Sequence, residues 1–150
     1  MRKVGWIAAA VFAADRVSKL FWSRIPAGGV ELIPGVLGLN PVRNTGMAFS
    51  LFSGHPWALG VLSLLIIAGA FLLLRGRRLP APAPAGLMMM LGGALGNLTD
   101  RLLTGFVPDM IELRFVRFAV FNVADAFLVL GCGLAMLGLL RKEPEKKTKG

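Results

Sequence analysis

Only eight carboxylates occur in these 150 residues, and two of them stand apart from any obvious partner. Asp125 has no basic residue three or four positions away, and Asp109, directly behind Pro108, has no close cationic neighbour in sequence. Asp15 and Lys19 are an i, i+4 pair, and Asp100 is followed at once by Arg101. These charges read first as ion pairs that neutralise one another and pin helices. Two carboxylates brought within hydrogen-bonding distance cannot both ionise cheaply, so one keeps a proton. The ionised member can take a proton from water while the protonated one polarises an amide carbonyl. That is aspartic-peptidase chemistry, and it needs neither a metal nor a nucleophilic side chain. Spacing alone leaves helix capping or simple solvation open for both residues.

Other chemistries fit less well. A single histidine, His55, and a single cysteine, Cys132, exclude multi-His zinc sites, Cys-cluster metal sites and an internal disulfide. Cys132 lies deep in an apolar run and reads as a packing residue. A serine peptidase would pair Ser18, Ser50 or Ser53 with Lys19, but Lys19 faces Asp15 on its own helix, stays charged and makes a poor base. A metal-dependent lipid phosphotransferase has only Asp100, Asp109 and Asp125 to hold Mg²⁺, with Arg101 competing. A proton-coupled transporter would carry charges through the inner halves of its spans, which here are apolar.

Positioning falls to elements set by composition. Hydrophobic residues make up 55% of the chain and charged ones 17%, against about 25% charged in an average soluble domain. Mean hydropathy is +0.69. Four apolar runs, at about residues 4–22, 57–74, 85–103 and 119–140, are long enough to cross a bilayer. The first lacks a small-residue cleavage site and reads as a retained helix. An all-α membrane protein of one domain, residues 1–150, follows. The net charge of +9 lies at the ends of the runs rather than on one continuous face, which argues against nucleic acid.

Orientation follows from the basic residues. Arg2, Lys3, Arg75, Arg77, Arg78, Arg141, Lys142, Lys146, Lys147 and Lys149 fall on one side, and Arg24, Arg43, Arg114 and Arg117 on the other. Both termini are therefore expected in the cytoplasm, with a disordered tail at 141–150. The outer connection 23–56 carries apolar stretches at 30–33 and 47–52 that suit short strands, punctuated by Gly35, Gly38 and Asn40-Pro41. The other, 104–118, alternates Ile111, Leu113 and Phe115 with Glu112 and Arg114, and reads as a short amphipathic piece at the interface. Pro80 to Pro84 forms a stiff inner turn. Trp22 and Trp57, at span ends, suit the interfacial aromatic belt.

With this topology, Asp15 and Lys19, then Asn97, Asp100 and Arg101, then Asn122 and Asp125 all converge on one layer near the outer surface. Each ionisable group inside a span costs about 2.5 to 3.5 kcal/mol on insertion scales, so a shared address calls for a reason. Gly92, Gly93 and Gly96 precede Asn97 and permit close helix packing.

Four blocks in order give these residues a family likeness. They are Asp15-Arg16-Val17-Ser18-Lys19; Asn44-Thr45-Gly46-Met47-Ala48-Phe49-Ser50; Gly92 to Arg101 followed by Gly105-Phe106-Val107-Pro108-Asp109; and Phe121-Asn122-Val123-Ala124-Asp125. Together they resemble the bacterial lipoprotein signal peptidases (signal peptidase II). The resemblance implies an aspartic endopeptidase of the bacterial inner membrane that removes signal peptides from diacylglyceryl-modified prolipoproteins, on the amino side of the modified cysteine. It implies Asp109 and Asp125 as the catalytic pair. Asp15, Lys19, Asn44, Gly46, Asn97, Asp100, Arg101, Asn122 and Ala124 fall in motif positions that line or support the site. It further implies four transmembrane helices with a small periplasmic β-sheet cradle and an outer amphipathic segment. No metal or cofactor is implied. The implied partners are the prolipoprotein substrates, membrane lipids and the inhibitor globomycin, with a monomer expected. The chain departs from the family pattern at Arg16, where Gln is frequent, and at Met47, where Ala is usual.

Overall fold

The computed structural model describes residues 4–46, 56–76 and 79–140. Helix α1 spans Gly5–Leu20 and runs into a 3-10 turn at Trp22–Arg24; strands β1 (Val30–Ile33) and β2 (Leu37–Asn44) follow. Helices α2 (Pro56–Leu74) and α3 (Ala83–Thr104), strand β3 (Val107–Leu113) and helix α4 (Val123–Leu140) complete the order. The strands form one antiparallel sheet in the order β1-β2-β3. The stretch 47–52, with Met47 and Ser50, lies outside the described residues, as do Ser53, His55, Arg2, Lys3, Arg77, Arg78, the side chain of Trp57 and the tail 141–150.

Local chemistry sets the boundaries. Helix α3 opens just after Pro80-Ala81-Pro82, with Pro84 in its first turn, where a missing N–H breaks no intrahelical bond. It closes on Gly105 at φ +78°, a left-handed cap that favours glycine. The β1–β2 hairpin turns through Gly35, φ +67°, whose N–H donates to Glu31 at 2.7 Å.

Three expectations are corrected. The run expected at 119–140 becomes helical only from Val123, because Phe121 is extended and paired antiparallel with Ile111. Within 104–118, residues Val107–Leu113 are the third strand of the sheet rather than a separate surface piece; the alternation at Ile111, Leu113 and Phe115 was a period-2 strand signal. Asn40-Pro41 does not end a strand but sits inside β2, where the β2–β3 register shifts between Leu39 and Val42. Proline suits such an interruption because it has no N–H to give the ladder.

Helix α3 is the central helix, packed against α1, α2 and α4. The packing is inverted relative to a soluble globule. Buried apolar residues are mainly small, such as Ala8, Ala94, Ala124 and Ala135, while Asp15, Asn97, Asp100, Asp109 and Asn122 are buried with them. Large apolar residues point outward, among them Leu65, Phe71, Leu103, Val129 and Leu140. Cys132 is exposed too, which corrects its reading as a packing residue. The glycines act as expected. A Cβ on Gly93 would come within 2.5 Å of the Ala124 carbonyl oxygen, and one on Gly96 within 2.5 Å of the Asp15 carboxylate. Among the described residues, α4 is the one helix long and apolar enough to cross a membrane, with a shorter apolar stretch at Val61–Leu73. Charges interrupt the apolar runs of α1 (Asp15, Arg16, Lys19) and α3 (Asp100, Arg101).

Candidate active site

Helix α4 starts with a reciprocal cap. The Asn122 Oδ1 accepts from the Asp125 N–H at 3.0 Å, and the Asp125 carboxylate accepts from the Asn122 N–H at 3.2 Å. This is the capping box in an Asn-x-x-Asp form. The capping reading that spacing left open for Asp125 therefore holds, and it fixes one carboxylate oxygen while leaving the residue half-buried at a cavity. The other oxygen, Oδ1, accepts from Asn97 Nδ2 of α3 at 2.7 Å.

Asp109 reaches the same point from β3. Its Oδ1 accepts from Asn122 Nδ2 and its Oδ2 from Asn44 Nδ2 of β2, both at 2.7 Å. Asn122 thus touches both aspartates, Asp109 by its amide nitrogen and Asp125 by its cap. Its Nδ2 also donates to Asn97 Oδ1 at 3.1 Å. Four carboxylate oxygens each accept one N–H, and three asparagines supply them.

Asp109 is almost fully buried. Burial pushes its carboxyl up to about 6, the Asp125 charge adds to the rise, and the Asn44 and Asn122 hydrogen bonds and the Lys19 charge oppose it. Desolvation wins because two amide donors return less than bulk water supplied.

Behind the asparagines lies a buried ion cluster. Lys19 Nζ meets Asp15 at 2.9 Å and Asp100 at 2.6 Å, and Arg16 meets Asp15 at 2.8 Å and Asp100 at 2.7 Å. Asp100 therefore pairs across to α1 and not with its neighbour Arg101. The cluster reaches the site at two points: Lys19 Nζ donates to Asn97 Oδ1 at 3.1 Å, and Asp15 accepts from the Ala124 N–H at 3.2 Å. Since Asn97 Oδ1 is held by Lys19 and Asn122, its amide nitrogen is left facing Asp125. Arg101 instead donates to the Gly46 carbonyl at 3.2 Å, and the Gly46 N–H donates to Asn44 Oδ1 at 2.9 Å. That corner orients Asn44. Ser18 donates to the Asp15 carbonyl within its own helix at 2.8 Å, and Lys19 lies between two carboxylates, so a Ser18–Lys19 nucleophile is not assembled.

Asp15, Lys19, Asn44, Gly46, Asn97, Asp100, Arg101, Asn122 and Ala124 all lie in or next to this network, with Asp109 and Asp125 at its centre. Sequence reasoning missed Arg16 as a cross-helix partner and Trp22, whose indole Nε1 donates to the Asp109 carbonyl at 2.9 Å. The helix 3.6-residue period puts Arg16 one position from Asp15 and hence off its face, and nothing local marks Trp22. Asp125 lines a cavity of about 590 Å³ whose polar residues include Asn44, Asn97 and Arg101 and whose apolar walls include Leu62, Ile66, Leu128 and Val129, while Asp109 lies buried behind Asn44 and Asn122.

A family model described as signal peptidase (SPase) II matches residues 7–141. The chain belongs to the signal peptidase II family. It is 39% identical over 148 residues to a lipoprotein signal peptidase of Trichormus variabilis, covering 93% of this chain and 91% of that one. A lipoprotein signal peptidase of Streptococcus pyogenes serotype M1 is 38% identical over 135 residues, covering 87% and 88%. Two solved bacterial membrane enzymes, determined by the in meso method at 2.3 and 1.9 Å, superpose with TM-scores of 0.86 and 0.82. Their identities to this chain are 29% and 27%, and the overlap covers 98% and 95% of it and 96% of each of them. The chain is thus a membrane protein and a peptidase, and the transporter and phosphotransferase alternatives are set aside.

Proposed function

We propose that the chain is an inner-membrane aspartic endopeptidase that removes signal peptides from diacylglyceryl-modified prolipoproteins, with Asp109 and Asp125 as its catalytic pair. The observation that carries the proposal is the convergence of two carboxylates from β3 and α4 on Asn122, with the α4 member lining a largely apolar cavity. A water held between the pair loses a proton to the ionised carboxylate as its oxygen attacks the scissile carbonyl. The protonated carboxyl donates to that carbonyl oxygen. Collapse of the tetrahedral intermediate breaks the C–N bond, and the proton passes to the leaving amine. Asn44, Asn97 and Asn122 hold the carboxylates so that no reorganisation is needed during the reaction.

The helices act as four membrane spans forming a single domain, with both termini cytoplasmic and the sheet at the periplasmic face. Outward Leu, Phe and Val residues on α2, α3 and α4 support contact with lipid, and the side on which basic residues collect supports the orientation. The apolar walls of the cavity fit a lipid-bearing peptide that never leaves the bilayer. The enzyme works as a monomer, and globomycin blocks it by filling this cavity.

The test is cleavage of a purified prolipoprotein with and without its diacylglyceryl group, read by mass spectrometry. Cleavage of the modified form alone, on the amino side of its cysteine, is expected. Equal cleavage of the unmodified form, or cleavage elsewhere, contradicts the proposal.

A further inference from the structure

Trp22 lies just past α1 and half-buried, where an interfacial aromatic residue would be unremarkable. Its contacts are more specific than that role requires. The indole N–H donates to the backbone carbonyl of Asp109 at 2.9 Å, and the ring packs on Phe106, centroids 5.9 Å apart. The Arg43 guanidinium lies over both rings, 5.8 Å from the centroid of Trp22 and 4.8 Å from that of Phe106. Phe106 immediately precedes β3, and Arg43 stands opposite Pro108 in the ladder. Three side chains, from just past α1, from β2 and from just before β3, thus form one stack whose indole N–H holds the strand at Asp109.

Helix α1 already fixes the other aspartate, because Asp15 accepts the Ala124 N–H at the first turn of α4. The α1 segment therefore grips both halves of the pair, α4 through Asp15 and β3 through Trp22. We propose that Trp22 is a positioning residue for the reaction: its N–H to the Asp109 carbonyl, backed by Arg43 and Phe106, sets the place of Asp109 relative to Asp125. The inference rests on the reading of Asp109 and Asp125 as the catalytic pair. A pair that shares one water tolerates little displacement, so a shift of β3 lowers turnover more than substrate binding.

The test uses the full chain in lipid nanodiscs with diacylglyceryl-modified prolipoprotein. Two replacements at position 22 keep a flat ring and remove the donor: Trp22→Phe, and substitution by benzothienylalanine, which has the shape of tryptophan with sulfur in place of N–H. Asp109→Asn is measured beside them. With benzothienylalanine, kcat is expected to fall about tenfold with KM and thermal midpoint unchanged, and Trp22→Phe to fall at least as far. Wild-type kcat with benzothienylalanine, or a change confined to KM or thermal midpoint, overturns the positioning role and leaves Trp22 an interfacial anchor. An active Asp109→Asn overturns instead the catalytic reading beneath it.

Discussion

At the scale of single residues, the site turns on amide donors and on the buried carboxyl of Asp109. Asp109, pushed up to about 6 by burial, lies above the ordinary value of 3.8, so protonation is favoured in the folded state as pH falls and is lost as pH rises through about 6. In the proposed mechanism, loss of the pair's proton leaves two carboxylates and no acid for the carbonyl. On this account kcat/KM declines on the alkaline side with an apparent midpoint at or above about 6, a property of the coupled pair. A profile flat from about pH 5 to about pH 9 contradicts it. Asn122 separates two duties in one side chain. Asn122→Ala removes a helix cap worth about 1 kcal/mol along with the donor to Asp109, and activity is expected to fall about a hundredfold. Asn122→Ser keeps a cap, so the thermal midpoint recovers while activity stays low. Recovery of both together would make Asn122 a cap and nothing more.

At the scale of elements, the ion cluster joins α1 to α3 and, through Asp15, to α4. Lys19 is nearly fully buried between Asp15 and Asp100, so Lys19→Met leaves buried negative charge in excess. Breaking a buried pair costs about 3 to 5 kcal/mol; the lower end is expected, because Arg16 still meets both carboxylates. The measurement is the thermal midpoint in detergent, and an unchanged midpoint would contradict the pinning role. Much of this was legible in the sequence. The spacing of Asp15 with Lys19 and the glycines at 92, 93 and 96 pointed to the element and face the structure shows, whereas Asp109 was expected on a surface piece and lies on β3. What could not be read was non-local. Asp100 stands beside Arg101 in the chain, but the helix turns the two side chains apart, and the partners of Asp100 come from α1. Strand β2 was hidden by Asn40-Pro41, since a bulge can carry a strand through residues that usually end one. The start of α4 was misplaced because Asn122 and Asp125 at i, i+3 fit a helix face as well as a cap.

At the scale of the whole molecule, small and charged residues are inside and large apolar ones outside, the arrangement suited to a protein whose solvent is lipid. The charge distribution predicts that a reporter fused after Gly150 is active only in a form that works in the cytoplasm; activity of a periplasm-dependent reporter there would reverse the topology. The central claim is that two aspartates from separate elements act as one catalyst. Its most direct measurement is cleavage of a diacylglyceryl-modified prolipoprotein by wild type, Asp109→Asn and Asp125→Asn in one bilayer preparation, with a metal chelator present throughout. Wild type is expected to cleave while each variant, still folded, loses at least about a thousandfold in rate. Near-normal activity in either variant, or silencing of wild type by the chelator, would contradict it.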